Sequence, residues 1–138
     1  MTTDSILTML DEKLNQTGKG EEFFRVAQQE LVRDIVEVIS PIWPTTMLIK
    51  LRKLVADPVH MRAICVVIRD EVHSRSAESV ETDNPELDFV KSRLQKLHPE
   101  QRHVVMAAAL RFLKSTDSQA GIDWTRNIGA GIMAVLAS

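Results

Sequence analysis

The sequence has no tyrosine, two tryptophans, four phenylalanines and five glycines. A chain so poor in aromatics and glycine makes an unlikely sandwich or barrel, where strands draw on aromatic side chains and tight turns. Its core must be aliphatic. The one cysteine, Cys65, excludes an internal disulfide. It lies in the apolar run Ala63-Ile64-Cys65-Val66-Val67-Ile68 and reads as a small buried hydrophobe, since a reactive thiol needs a neighbouring base or cation. An unpaired cysteine also points to a reducing compartment, so a cytoplasmic location is expected. No run reaches the roughly 18 apolar residues of a membrane span; the nearest is Ile128 to Ala137. Asp4, Asp11 and Glu12 stand where a signal peptide would carry basic residues.

What is present is 44% apolar and 26% charged, the balance of an ordinary globular chain. At 138 residues a single domain is expected, with a possible subdivision at residues 74–84. The net charge of −2 is unevenly placed. Residues 1–40 hold four basic and eight acidic side chains, and residues 41–76 six basic and three acidic. Residues 77–100 hold three and six, and residues 101–138 four and two. Such alternating blocks offer an acidic and a basic surface for self-association.

Apolar residues recur at three- and four-residue steps throughout, the mark of amphipathic helices. A first helix is predicted over about 5–15 with Asp4 as its cap, and a second over about 21–39, stopped by Pro41. Pro41-Ile42-Trp43-Pro44 reads as an extended connector, with Ser40 and Trp43 biased out of the helical region. A third helix follows over about 45–56. Asp57-Pro58 opens a fourth, to about Val72, which is apolar on more than one side and is the candidate for a central buried helix. Asn84-Pro85 opens a fifth, whose Leu87, Val90, Leu94 and Leu97 form a short heptad seam. Pro99 begins a sixth, to about Lys114, with Ala107-Ala108-Ala109 allowing a close neighbour. A seventh covers about 122–136, with Gly129 and Gly131 as weak points. The expected fold is all-α: an irregular helical bundle of six to seven helices with no sheet.

No chemistry-bearing motif emerges, so no catalytic residue, metal site, cofactor or small-molecule substrate is assigned. His98 and His103 are five apart, the wrong step for two ligands on one helix face. The cluster of Asp70, Glu71 and His73 reads more simply as a histidine complementing a helix C-terminus. Neither a nucleophile elbow nor a phosphate-cradling loop is present. The stretch Leu97-His98-Pro99-Glu100-Gln101-Arg102-His103-Val104-Val105 resembles the opening of the DNA-binding region of sigma factors, where a similar stretch starts the helix before the helix-turn-helix. The resemblance covers under ten residues. Ser115 to Ala130 departs from it, lacking the small-residue turn and the basic recognition helix that the family would carry.

Partners are the remaining class. Trp43, in its proline-flanked loop, and Trp124, beside Arg126, are candidate interface anchors. With the seam of Leu87, Val90, Leu94 and Leu97 they make the expected protein-binding surface of a self-associating regulatory or adaptor module, with a homodimer expected. Lys50, Arg52, Lys53, Arg62 and Arg69 are a candidate basic patch, although a mildly acidic chain makes nucleic acid a weak expectation. Membrane contact through residues 122–138 is the other alternative.

Overall fold

A computed structural model describes residues 22–73 and 84–136, together with Thr8 and Glu12. The helix predicted over 5–15 and the loop of residues 74–83 lie outside the described residues, apart from those two positions. The described residues form six helices and no strand. They are α1 (Glu22–Ile42), α2 (Met47–Ala56), α3 (Pro58–His73), α4 (Pro85–Lys96), α5 (Pro99–Ser115) and α6 (Gln119–Leu136).

The helix starts follow the cap chemistry. Asn84 Oδ1 accepts from the amides of Glu86 and Leu87 at 3.0 and 3.4 Å, with Pro85 in the first turn where its missing amide costs nothing. Asp57 Oδ1 accepts from the His60 amide at 3.1 Å. Asp57 is also the C-cap of α2, so one residue separates α2 from α3. Ser118 Oγ accepts from Gly121 at 3.0 Å, which starts α6 about a turn earlier than the sequence suggests.

One expectation fails at Pro41. The proline does not stop α1, which continues through Ser40 and Pro41 to Ile42. So close to the helix end the ring removes a single ladder bond, and the Trp43 amide closes the next turn onto Ile39 O at 2.7 Å. The gain is burial: Ile39 and Ile42 are both sealed in the core, and the outer Arg93 guanidinium donates to Pro41 O at 3.2 Å. The connector is therefore residues 43–46, and α2 begins at Met47 rather than Thr45.

One contiguous hydrophobic cluster draws on all six helices. The most enclosed is α1, with Val32, Ile35, Val36, Val38 and Ile39 essentially inaccessible. It packs on α2, α4, α5 and α6. The doubly apolar α3 does not hold the centre alone. Met61, Ile64, Cys65 and Ile68 face the core, but Ala63 and Val59 are exposed on its other side. Burial of Cys65 pushes its thiol up to about 12, as expected of an inert core thiol.

Ala108 and Ala109 are fully buried where α5 packs on α1 and α3, so the small side chains do bring neighbours close. Gly129 does the same for α6. A Cβ built there would lie 2.5 Å from Val55 O, so backbone meets backbone where α6 crosses the end of α2.

Candidate functional site

The outer edge of α1 carries Ala27, Glu30, Asp34, Glu37 and Pro41, spaced three or four apart and so aligned along one side. Beside this line, between α1 and the neighbouring α5 and α6, three adjoining recesses open. The first, about 120 Å³, lies among Ala27, Glu30, Leu31 and Asp34 of α1, Ser115 of α5 and Trp124, Thr125 and Ile128 of α6. The second, about 440 Å³, is lined by Glu30, Arg33, Asp34, Glu37 and Arg111. The third, about 360 Å³, is lined by Glu37, Ser40, Pro41, Glu100, Gln101 and Val104. Neighbouring recesses share Glu30, Asp34 or Glu37, so together they make one trough along α1, about 21 Å long at 1.5 Å per residue.

Its middle is lined by an ion-pair clamp. Arg111 donates from Nε to Asp34 Oδ1 at 2.9 Å and from Nη2 to Glu37 Oε2 at 2.6 Å. Burial pushes the Asp34 carboxyl up, with Arg111 opposing, and the hydrogen bond to Asp34 raises the guanidinium further. Glu30 and Glu100 remain exposed on the rim. Four carboxylates against Arg33 and Arg111 leave the trough acidic. At the Pro41 end the lining is more apolar, and Val104 is 45% exposed there.

A second cluster ties α2, α3 and α4. Lys50 Nζ meets Glu86 Oε2 at 2.7 Å, and His60 Nε2 bonds the other carboxylate oxygen. Lys50 also sits 4.7 Å above the Trp43 ring, which stacks on Phe89 at 6.0 Å. Burial alone would push Glu86 up; its bonds to Lys50 and His60 outweigh that and hold it below the usual value. A depressed carboxyl stabilises the fold above its unfolded pKa and loses that contribution as pH falls through the folded one. Glu86→Gln should therefore cost of order 1 kcal/mol at pH 6 and progressively less as the pH falls through the carboxylate range. Urea midpoints of the two chains across that range would show it, and a pH-independent gap would refute it.

The sequence-predicted anchors fall on both sides of the surface. Trp43, Val90, Leu94 and Leu97 are buried within the chain and Leu87 is half-buried, so the α4 seam is spent on the core rather than offered to a partner. Trp43 is a plug at the core edge, held by Phe89 and Lys50. Trp124 is 41% exposed and lines the trough. Arg126 lies beside it on α6, exposed and 3.6 Å from Asp123.

The five cations do not gather into one patch. Lys50 is bound to Glu86, and Arg69 to Asp70 at 3.2 Å. Arg62 turns inward to the end of α5. Only Arg52 and Lys53 stand together and exposed, on α2.

The sigma-like stretch has a local explanation in capping. Pro99 opens α5, Gln101 Oε1 accepts from the His98 amide at 3.4 Å, and Arg102 donates to Leu97 O at 2.9 Å. The following α6 is a core helix. Ile128, Ile132, Val135 and Leu136 are buried, so its apolar side is occupied within the fold. Among the described residues no helix is long and apolar enough to cross a membrane, and no group of three His, Cys, Asp or Glu is placed to hold a metal ion.

Sequence reasoning missed the trough. The three- and four-residue spacing of Glu30, Asp34 and Glu37 was visible, but Arg111 lies 77 positions beyond Asp34 and nothing local announces the pairing. No protein-family model, curated protein or solved structure matches this chain.

Proposed function

We propose that this chain is a helical protein–protein interaction module with a regulatory or adaptor role, and that the trough along α1 seats a segment of the partner. The observation that carries the reading is continuity. Three recesses join along one helix into an open channel of a length suited to a short helix, with charges on its rim and an apolar end at Pro41 and Val104. Concave, partly apolar surfaces flanked by charge are what partner segments use. Asp34 and Glu37 are tied together by Arg111 rather than left as a free acid and base, which favours recognition over catalysis.

The test is a comparison of captured proteins. The intact chain, a Val104→Glu variant and a Lys114→Glu control would each be used as bait in extract from the source cell. A protein retained by the intact chain and the control, and lost by Val104→Glu, is the expected result. Retention indifferent to Val104 would reject the trough.

A further inference from the structure

We infer that a second copy of this chain occupies the trough, docking the outer face of its α2; the inference rests on the trough being a protein-binding site. The inner face of α2 is spent on the core through Met47, Leu51, Leu54 and Val55. Its outer face carries Ile49, Arg52, Lys53 and Ala56, all exposed; the last three lie three, four and seven residues on from Ile49, which puts them on one side. At 61%, Ile49 is the most exposed large apolar side chain among the described residues. Among the described residues Arg52 and Lys53 make no ion pair. The face is thus a short cationic helix with one apolar tooth.

The trough is its complement in sign and length. Its apolar end at Pro41 and Val104 receives Ile49. Arg52 and Lys53, about 5 Å further along α2, then come level with the carboxylate of Glu37, while Glu100 lies a turn to the other side of Val104. The ten residues of α2 span about 15 Å, which fits within the roughly 21 Å of trough. The two surfaces share no residue, so one copy can use both at once. The contact is head-to-tail, and it builds rings or open chains rather than a two-fold dimer. An interface of this size is small, so micromolar or weaker affinity is expected, tighter at low salt.

Sedimentation velocity of the full chain tests this at about 20 mM and about 300 mM salt. Ile49→Asp puts a carboxylate on the docking face, in the first turn of α2 where the helix dipole tolerates it. Val104→Glu puts one in the trough, on a helix that glutamate suits. Each should weaken self-association at least about tenfold, with unchanged circular dichroism and melting. Mixed one to one, the two variants should recover association and stop at a dimer. The intact α2 of one then meets the intact trough of the other, while the remaining ends repel.

A wild-type chain that stays monomeric to about 1 mM at low salt overturns the second copy as occupant. So does a mixture that stays monomeric, or an Ile49→Asp chain that associates like wild type. Capture of another protein that Val104→Glu abolishes and Ile49→Asp leaves intact would retain the trough while rejecting this occupant. Capture indifferent to Val104 would reject both.

Discussion

Gly129→Ala is expected to destabilise the protein by about 1–3 kcal/mol, and Gly129→Leu by more than about 3 kcal/mol. The sign is the informative part. In an open helix the same change to alanine stabilises by up to about 1 kcal/mol, because glycine loses more backbone freedom on folding. At Gly129 the added Cβ would stand 2.5 Å from Val55 O and 3.4 Å from Val55 Cγ1. The nearer atom is backbone in the last turn of α2, so no rotamer change can relieve the overlap. α6 and α2 would have to separate, opening space beside Ile128 and Leu54, both buried. Urea unfolding followed by tryptophan fluorescence would measure the effect. A Gly129→Ala chain more stable than wild type would mean that the two helices do not cross so closely.

The same residue shows where sequence stops informing. Glycine in a helix reads locally as a weakness. Only the neighbour, more than seventy positions away in the chain, turns it into a requirement. What is encoded locally was legible: the caps at Asp57 and Asn84, the proline starts and the apolar stripes together place every described helix to within a few residues. Pro41 was misread because the cost of a ring in the last turn is small and local, whereas the burial of Ile42 that outweighs it is tertiary. The doubled apolar character of α3 was legible too, but not that Val59 and Ala63 would end on the outside.

The candidate site was less legible than the fold, for one physical reason. A helical period reports that residues share a face; it does not report what stands opposite. Leu87, Val90, Leu94 and Leu97 share a face, and that face turns largely to α3 and the core. Glu30, Asp34 and Glu37 share another, and it meets Arg111. Charge counting suffered most. Of five cations that looked alike in the sequence, two are bound in ion pairs, one mostly buried and one exposed, one is a buried-facing cap, and two remain outward.

That cap supplies the second large effect. Arg62→Ala is expected to cost about 2–4 kcal/mol, whereas Arg52→Ala, ten residues earlier on the exposed face of α2, should change stability by less than about 0.5 kcal/mol. Arg62 Nη1 donates to Leu113 O at 3.2 Å and reaches both the carbonyl and the hydroxyl of Thr116, the latter at 2.7 Å. These oxygens end α5, where the last carbonyls have no partner within the helix and carry the negative end of its dipole. Thr116 is fully buried, and its hydroxyl is already donating to Phe112 O at 2.7 Å. Water therefore cannot simply take the guanidinium's place. Arg62→Met separates the contributions: it keeps most of the aliphatic stem's packing and removes the donors, so it should lose nearly as much as alanine. Arg62→Lys restores a charge but not the planar fork, and should recover only part. If Arg62→Met matched wild type in urea, the guanidinium would be a surface charge after all, and the link it makes between α3 and the end of α5 would have to be assigned to packing alone.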